Sequence, residues 1–220
     1  MTELRGLVVD YGGVLTNPTG EMFAEWAAAN GVAWSDFQDV MREWLVGDPA
    51  DSPVHRLETG ELSVAGFEQV LAGRLQTADG HPLVAAGLLG RLMSNFRAEN
   101  AMSAAVREAH RRGYRTALLS NSWGLDYPRA GWEQMFDVVV ISGEVGLRKP
   151  DPRIYQLVLD RLGLTAPECV FVDDLRPNIR GAAELGMVTV HHTDTEATLD
   201  ELAIVLGTDL RVATSVPEGR

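Results

Sequence analysis

Short apolar runs recur along the chain, and each closes on a polar or acidic residue. Leu4–Asp10 gathers Leu4, Leu7, Val8 and Val9 and ends on Asp10. Arg115–Ser120 ends in Ser120-Asn121, and Phe136–Ser142 ends near Glu144. Glu168–Asp174 ends in two acids, and Gly186–His191 ends on a histidine. Strands buried on both faces of a parallel sheet have this pattern. Helical periodicity separates the runs. Met102–Arg112 stops at Gly113, and Asp151 caps a helix that has Pro152 first and Gly163 beyond its end. Asn178–Leu185 stops at Gly186, and Thr195–Leu206 stops at Gly207. Glycine just past the last turn and proline in the first turn are the usual helix boundaries. The alternation predicts an α/β fold, a Rossmann-like three-layer core with a parallel sheet between helices.

The stretch between Asp10 and Arg115 breaks the alternation, because no buried strand is legible in it. It reads as helices: Glu21–Asn30 before Gly31, Ser35–Val46 opened by a Ser35-x-x-Gln38 capping box, Ser63–Leu75, and Pro82–Ser94. A small helical domain inserted after the first strand is expected over 17–97, with 1–16 and 98–220 forming the core. Val212–Arg220 carries no pattern and is expected to be loosely held.

Composition narrows the function. With 45% hydrophobic and 23% charged residues among 220, the chain is not of the disordered, collagen-like or coiled-coil classes. Its 19 basic and 31 acidic residues give 19 − 31 = −12. That charge opposes a nucleic-acid backbone or an anionic membrane as partner. An anionic substrate would have to be drawn in by a few placed cations or a metal. The single cysteine, Cys169, excludes a disulfide framework and a cysteine zinc site and fits a reducing compartment. No apolar run has the length of a membrane span, and Met1–Asp10 lacks a signal-peptide pattern. A cytoplasmic protein, monomer or homodimer, acting on a small molecule is expected.

In an open parallel sheet, chemistry collects at the carboxyl ends of the strands. Here those ends deliver Asp10, Ser120 and Asn121, Lys149 just past the third strand, and Asp173 and Asp174. Each alone is ordinary turn or cap chemistry; in order, each at a strand end, they form a constellation. A carboxylate beside a divalent cation stays ionised and can attack phosphorus. Asp10, Asp173 and Asp174 supply the hard oxygen ligands that Mg²⁺ prefers. Lys149 would neutralise the nucleophile and the developing phosphoryl charge. The Ser120 hydroxyl and nearby backbone N–H groups would hold phosphate oxygens.

Four segments, Val8-Val9-Asp10-Tyr11-Gly12-Gly13-Val14-Leu15-Thr16, Leu118-Leu119-Ser120-Asn121, Gly146-Leu147-Arg148-Lys149-Pro150-Asp151 and Val170-Phe171-Val172-Asp173-Asp174, resemble the motifs of the haloacid dehalogenase-like (HAD) hydrolase superfamily, in its order. The helical insertion resembles that superfamily's small helical cap. The resemblance implies a phosphatase in which Asp10 is the nucleophile and forms an aspartyl-phosphate. Ser120 and Asn121 would bind phosphate and adjoining substrate, and Lys149 would pair with Asp10. Asp174 would ligate Mg²⁺ directly and Asp173 through water or a second layer of contacts, with the backbone carbonyl of Gly12 as a further ligand.

Gly12 is also a departure. Most phosphatases of the superfamily carry there a second aspartate that protonates the leaving group, a contribution of roughly 10²–10⁴-fold. The Asp-x-Gly-x-Val pattern is similar to a branch with sugar-1-phosphate phosphatases and the phosphatase domain of soluble epoxide hydrolase. Two alternatives stay open. One is a 2-haloacid dehalogenase, which would use Asp10 against carbon without metal; the Asp173-Asp174 pair favours phosphoryl transfer over it. The other is a weakly active or non-catalytic phosphate-binding regulatory protein. Trp123 is a candidate substrate contact. Trp26, Trp34 and Trp44 read as packing anchors, Cys169 as a core residue, and His191-His192 as a strand-end pair.

Overall fold

The computed structural model describes residues 2–46, 51–124 and 126–211. Val212–Arg220, expected to be loosely held, lies outside them. Among the described residues the strands β1 (Gly6–Val9), β2 (Arg115–Ser120), β3 (Val138–Ile141), β4 (Cys169–Asp173) and β5 (Val188–His191) form one sheet in the order β3-β2-β1-β4-β5. Every pairing is parallel, with Val9 opposite Leu118 on one side and Val172 on the other.

Alternate residues of these strands feed two cores. Leu7, Val9, Leu118, Val170, Val172 and Val190 pack against α6 (Asn100–Arg111) and α10 (Thr195–Leu206). Val8, Ala117, Leu119, Val140 and Phe171 face the opposite way, against α8 (Pro152–Leu162) and Ala182 of α9 (Arg176–Glu184). The central strands are buried on both faces, which is why they read as unbroken apolar runs. The α8 boundaries are those expected, with Asp151 accepting from the Arg153 N–H and Gly163 left-handed at the end. Cys169 is fully buried, and burial pushes its thiol up to about 12.

Between β1 and β2 lie α1 (Thr19–Ala29), α2 (Trp34–Val46), α3 (Pro53–Glu58), α4 (Val64–Arg74) and α5 (Leu88–Leu92). They enclose an apolar cluster of their own, with Trp26, Phe37, Trp44, Phe67, Leu71 and Leu89 at its centre. The two connections to the sheet run side by side, where Thr16 bridges Ala98 and Asn17 exchanges hydrogen bonds with Arg97.

Several helix boundaries differ from expectation. The helix α2 begins at Trp34, so Ser35 sits inside its first turn and its hydroxyl faces Asp36 rather than forming a capping box. The segment expected as a helix over Pro82–Ser94 is helical only from Leu88. Pro82 instead bridges Gln76 in an antiparallel contact, and Gly87 turns the chain at φ 71. Glu68 of α4 then accepts the Gly87 and Leu89 N–H groups, so α5 is capped from a neighbouring helix. The short α3 has no counterpart in the sequence-based expectation, although Ser52 followed by Pro53 is a start signal, and Ser52 does cap it. No described helix is long and apolar enough to cross a membrane.

Candidate active site

The sheet order reverses beside β1: β2 and β3 lie on one side of it, β4 and β5 on the other. At that switch point the carboxyl ends of β1, β2 and β4 are neighbours, so Asp10, Ser120 and Asp173 arrive at one edge. Lys149 reaches the same place from the loop after α7 (Ser142–Val145). It is completely buried, and its Nζ lies 2.8 Å from Asp10 Oδ1 and 2.7 Å from Asp173 Oδ2. Burial alone would lower the Lys149 ammonium; the two carboxylates outweigh it and raise it. A buried lysine that remains charged requires this kind of pairing.

The two consecutive acids at the end of β4 do different things. Asp173 is fully buried. Its Oδ2 takes Lys149, and its Oδ1 accepts the Leu175 N–H at 2.8 Å and Asn178 Nδ2 at 3.0 Å. Asp174 lies against the turn after β1, where a Cβ on Gly13 would come within 2.4 Å of its Oδ2. Gly13 has φ 76, so both the conformation and the close approach require glycine there. Ligand oxygens of Asp10, Asp173 and Asp174 all fall within 4.8 Å of one another. With all three carboxylates ionised, one ammonium leaves a formal excess of two negative charges. Burial is the main cause that holds Asp10 and Asp174 above the usual carboxylate range; for Asp10, Lys149 opposes it while Asp173 and Asp174 add to it, and for Asp174, Asp173 adds to it while Lys149 opposes. A group of hard oxygens with a net charge of −2 fits a divalent cation.

Ser120 and Asn121 stand beside this cluster. The Ser120 Oγ is 3.0 Å from the Tyr127 hydroxyl, and Asn121 bonds the Lys149 backbone on both sides, accepting its N–H at 2.8 Å and donating to its carbonyl at 3.1 Å. These groups open into a cavity of about 480 Å³ between the sheet edge and the helices after β1. Asp10, Gly12, Ser120, Asn121, Trp123 and Asp174 line it, so the expected site residues meet there; Asp173 and Lys149 back it from beneath. Much of the remaining lining is apolar or aromatic, including Tyr11, Phe23, Met93, Phe96 and Tyr127. Trp123 packs on Phe23 at 5.4 Å and Phe67 at 5.7 Å, and its indole N–H is engaged with Glu58. His191 and His192 stay outside: His191 meets the Asp174 backbone carbonyl, and His192 meets the Thr198 hydroxyl. Trp26 and Trp44 are buried packing residues of the helical cluster, and Trp34 stacks on Phe37.

Among the pocket residues that escaped the sequence are Arg148, Tyr127 and Glu58. Arg148 was adjacent to Lys149 and carried no separate signal, and Tyr127 lies in an unpatterned loop. Glu58 ends α3, and the Ser52-Pro53 start signal would have placed it on a helix though not in this site.

A family model for haloacid dehalogenase-like hydrolases matches residues 4–186. Mouse acyl-CoA dehydrogenase family member 10 is 31% identical over 98% of this chain, which covers 20% of that protein. A sesquiterpene phosphatase of Aspergillus oryzae is 33% identical over 51% of this chain and 59% of its own. The chain thus spans between about a fifth and three fifths of these curated relatives. A solved HAD-like family hydrolase from Porphyromonas gingivalis superposes with a TM-score of 0.68 at 24% identity, covering 93% of this chain and 98% of that one, which shows a shared fold. The match over 4–186, together with the carboxylate cluster at the switch point, places the chain in the haloacid dehalogenase-like hydrolase family.

Proposed function

We propose that the protein is a Mg²⁺-dependent phosphatase of a small phosphomonoester, with Asp10 as nucleophile and residues 17–97 acting as a cap over the site. The observation that carries this is the buried Asp10–Lys149–Asp173 chain beside Asp174, with two negative charges in excess. A haloalkanoate is an anion and would meet those charges uncompensated, whereas a phosphate ester meets them together with a divalent cation. Asp10, Asp174 and the Gly12 carbonyl would hold that cation, with Asp173 supporting them through its contacts. When bound, Mg²⁺ supplies charge neutralisation for the phosphoryl group.

The chain's own groups carry the rest. Lys149 holds Asp10 Oδ1 in place as its other oxygen attacks phosphorus, and the bond to the leaving oxygen breaks. The Ser120 hydroxyl holds an equatorial phosphate oxygen, and Asn121, whose amide is already engaged, serves the site by clasping the Lys149 backbone. Water then cleaves the aspartyl-phosphate and releases phosphate. The aromatic lining supports a leaving group with an apolar body, because the pocket's polar groups at Asn121, Trp123, Glu58 and Thr16 already engage one another or nearby backbone. The name of the Aspergillus relative agrees with that class. The test is hydrolysis of para-nitrophenyl phosphate: EDTA should abolish it, Mg²⁺ should restore it, and Asp10→Asn should remove it while the fold persists. Full turnover in EDTA, with release of halide from 2-haloacids, would overturn the proposal.

A further inference from the structure

We propose that Glu58 is a positioning residue, a carboxylate carried by the helical insertion that ties its docking to the geometry of Asn121 and Lys149; this rests on the phosphatase reading of the site. The Glu58 side chain is buried and receives three donors from two separate loops of the core. These are Arg148 Nε at 2.5 Å, Trp123 Nε1 at 3.3 Å and Asn121 Nδ2 at 3.4 Å. Its backbone carbonyl accepts the Ser142 hydroxyl at 2.6 Å, and that hydroxyl accepts the Ser122 N–H at 2.7 Å. Side chain and main chain of one residue therefore hold the loop after β2 and the loop after β3 together.

The backbone around Glu58 approaches the core loops closely. A Cβ on Gly60 would lie 3.0 Å from the Gly143 carbonyl oxygen, and one on Gly124 would lie 2.5 Å from Val64 Cγ2. Both glycines also have positive φ. The turn from α3 to α4 is thus seated directly on the two core loops, far along the chain from the connections at Thr16 and Ala98. From Glu58 the path to the nucleophile is short: Asn121 clasps the Lys149 backbone, and Lys149 Nζ holds Asp10. Glu58 also neutralises Arg148, which would otherwise present an unpaired guanidinium to the phosphate. Burial raises the Glu58 carboxyl while Arg148 opposes the shift, as expected for an acid whose charge depends on one partner.

The variant Glu58→Gln keeps the shape and removes the charge. It should lower kcat for para-nitrophenyl phosphate about tenfold or more, with KM within about twofold, since the lost geometry is that of the reacting groups. Because removing the Glu58 charge also leaves Arg148 unpaired, Glu58→Gln/Arg148→Met should be no worse than the single variant, and coupling of that kind is expected only of residues in contact. A second readout does not need turnover. Hydrogen exchange of the Lys149 amide, which Asn121 accepts, should quicken in Glu58→Gln while exchange in β1 and β4 is unchanged. If Glu58→Gln does not fold, Trp123→Phe and Arg148→Met each remove one arm of the clasp and should show the same split. Equal activity and equal Lys149 exchange in native and variant proteins would overturn the inference. An enzyme silent toward phosphates but with altered Lys149 exchange would overturn the phosphatase reading alone.

Discussion

The pair Gly12-Gly13 separates two roles that a sequence cannot tell apart, and replacing each in turn tests the chemistry. Gly13 is the left-handed residue, φ 76, and any side chain there meets Asp174 at 2.4 Å. Gly12 has no such conformation, and a Cβ built on it meets only Thr19 Cγ2, at 3.4 Å. A carboxyl group can therefore be added at Gly12, beside Asp10 and facing the cavity. If the native site lacks a general acid, its rate should fall steeply as the leaving group becomes more basic. Gly12→Asp should then speed alkyl phosphates by up to about 10²-fold and aryl phosphates by much less, flattening the dependence. The new charge joins a cluster whose formal excess is already two; at about 8 Å and an effective dielectric of about 20 this costs roughly 4 kcal/mol in metal-free protein. That corresponds to a Tm lower by about 8–16 °C for a chain of this size, and Mg²⁺ should recover much of it. The assay is kcat/KM across a series of aryl and alkyl phosphates, with thermal melts in EDTA and in Mg²⁺; Gly13→Ala serves as the disruptive control. Equal native rates for alkyl and aryl esters, or a folded Gly12→Asp protein with an unchanged slope, would refute the reasoning.

Two further outcomes follow from the lining and from the core. In a series of straight-chain alkyl phosphates, whose leaving groups are equally basic, kcat/KM should rise by up to about fourfold per buried methylene until the tail passes Leu45, which is 47% exposed at the pocket mouth; a flat series would remove the apolar leaving group from the proposal. The buried His192 imidazole is held below its ordinary range by burial, so the unfolded chain binds its proton first as pH falls. Stability is whole above about pH 6.5 and declines below it, by at most about 1.4 kcal/mol per pH unit. Urea midpoints at pH 7.5 and 5.5 should differ less in His192→Asn than in the native protein, and an identical difference would show that another group is responsible.

The sheet was legible because its central strands are buried on both faces, so that nearly every position in a short run is apolar and no helical period fits it. The helices beside it were legible because Gly163 and Gly207 end α8 and α10 with the left-handed turn that glycine adopts at no steric cost. The helical insertion was less so. Its boundaries depend on tertiary partners: Glu68 caps a helix nineteen residues away from it in sequence, and Ser35 does not cap the helix that its spacing suggested. The site divides along the same line. Asp10, Ser120, Lys149 and the two acids at the end of β4 could be found because parallel strands deliver their ends to one edge, so chain order translates into proximity. Glu58 and Tyr127 reach that edge across the fold, and no local pattern announces them. The hardest distinction is between Asp173 and Asp174, which are identical in type and adjacent in sequence. Neighbouring residues leaving a strand point to opposite sides. One side of β4 meets Lys149, Asn178 and the start of α9, which engage both oxygens of Asp173. The other side meets Gly13, whose missing side chain is what lets Asp174 lie beside Asp10. The division of labour between the two acids is therefore written partly in the glycine that faces one of them.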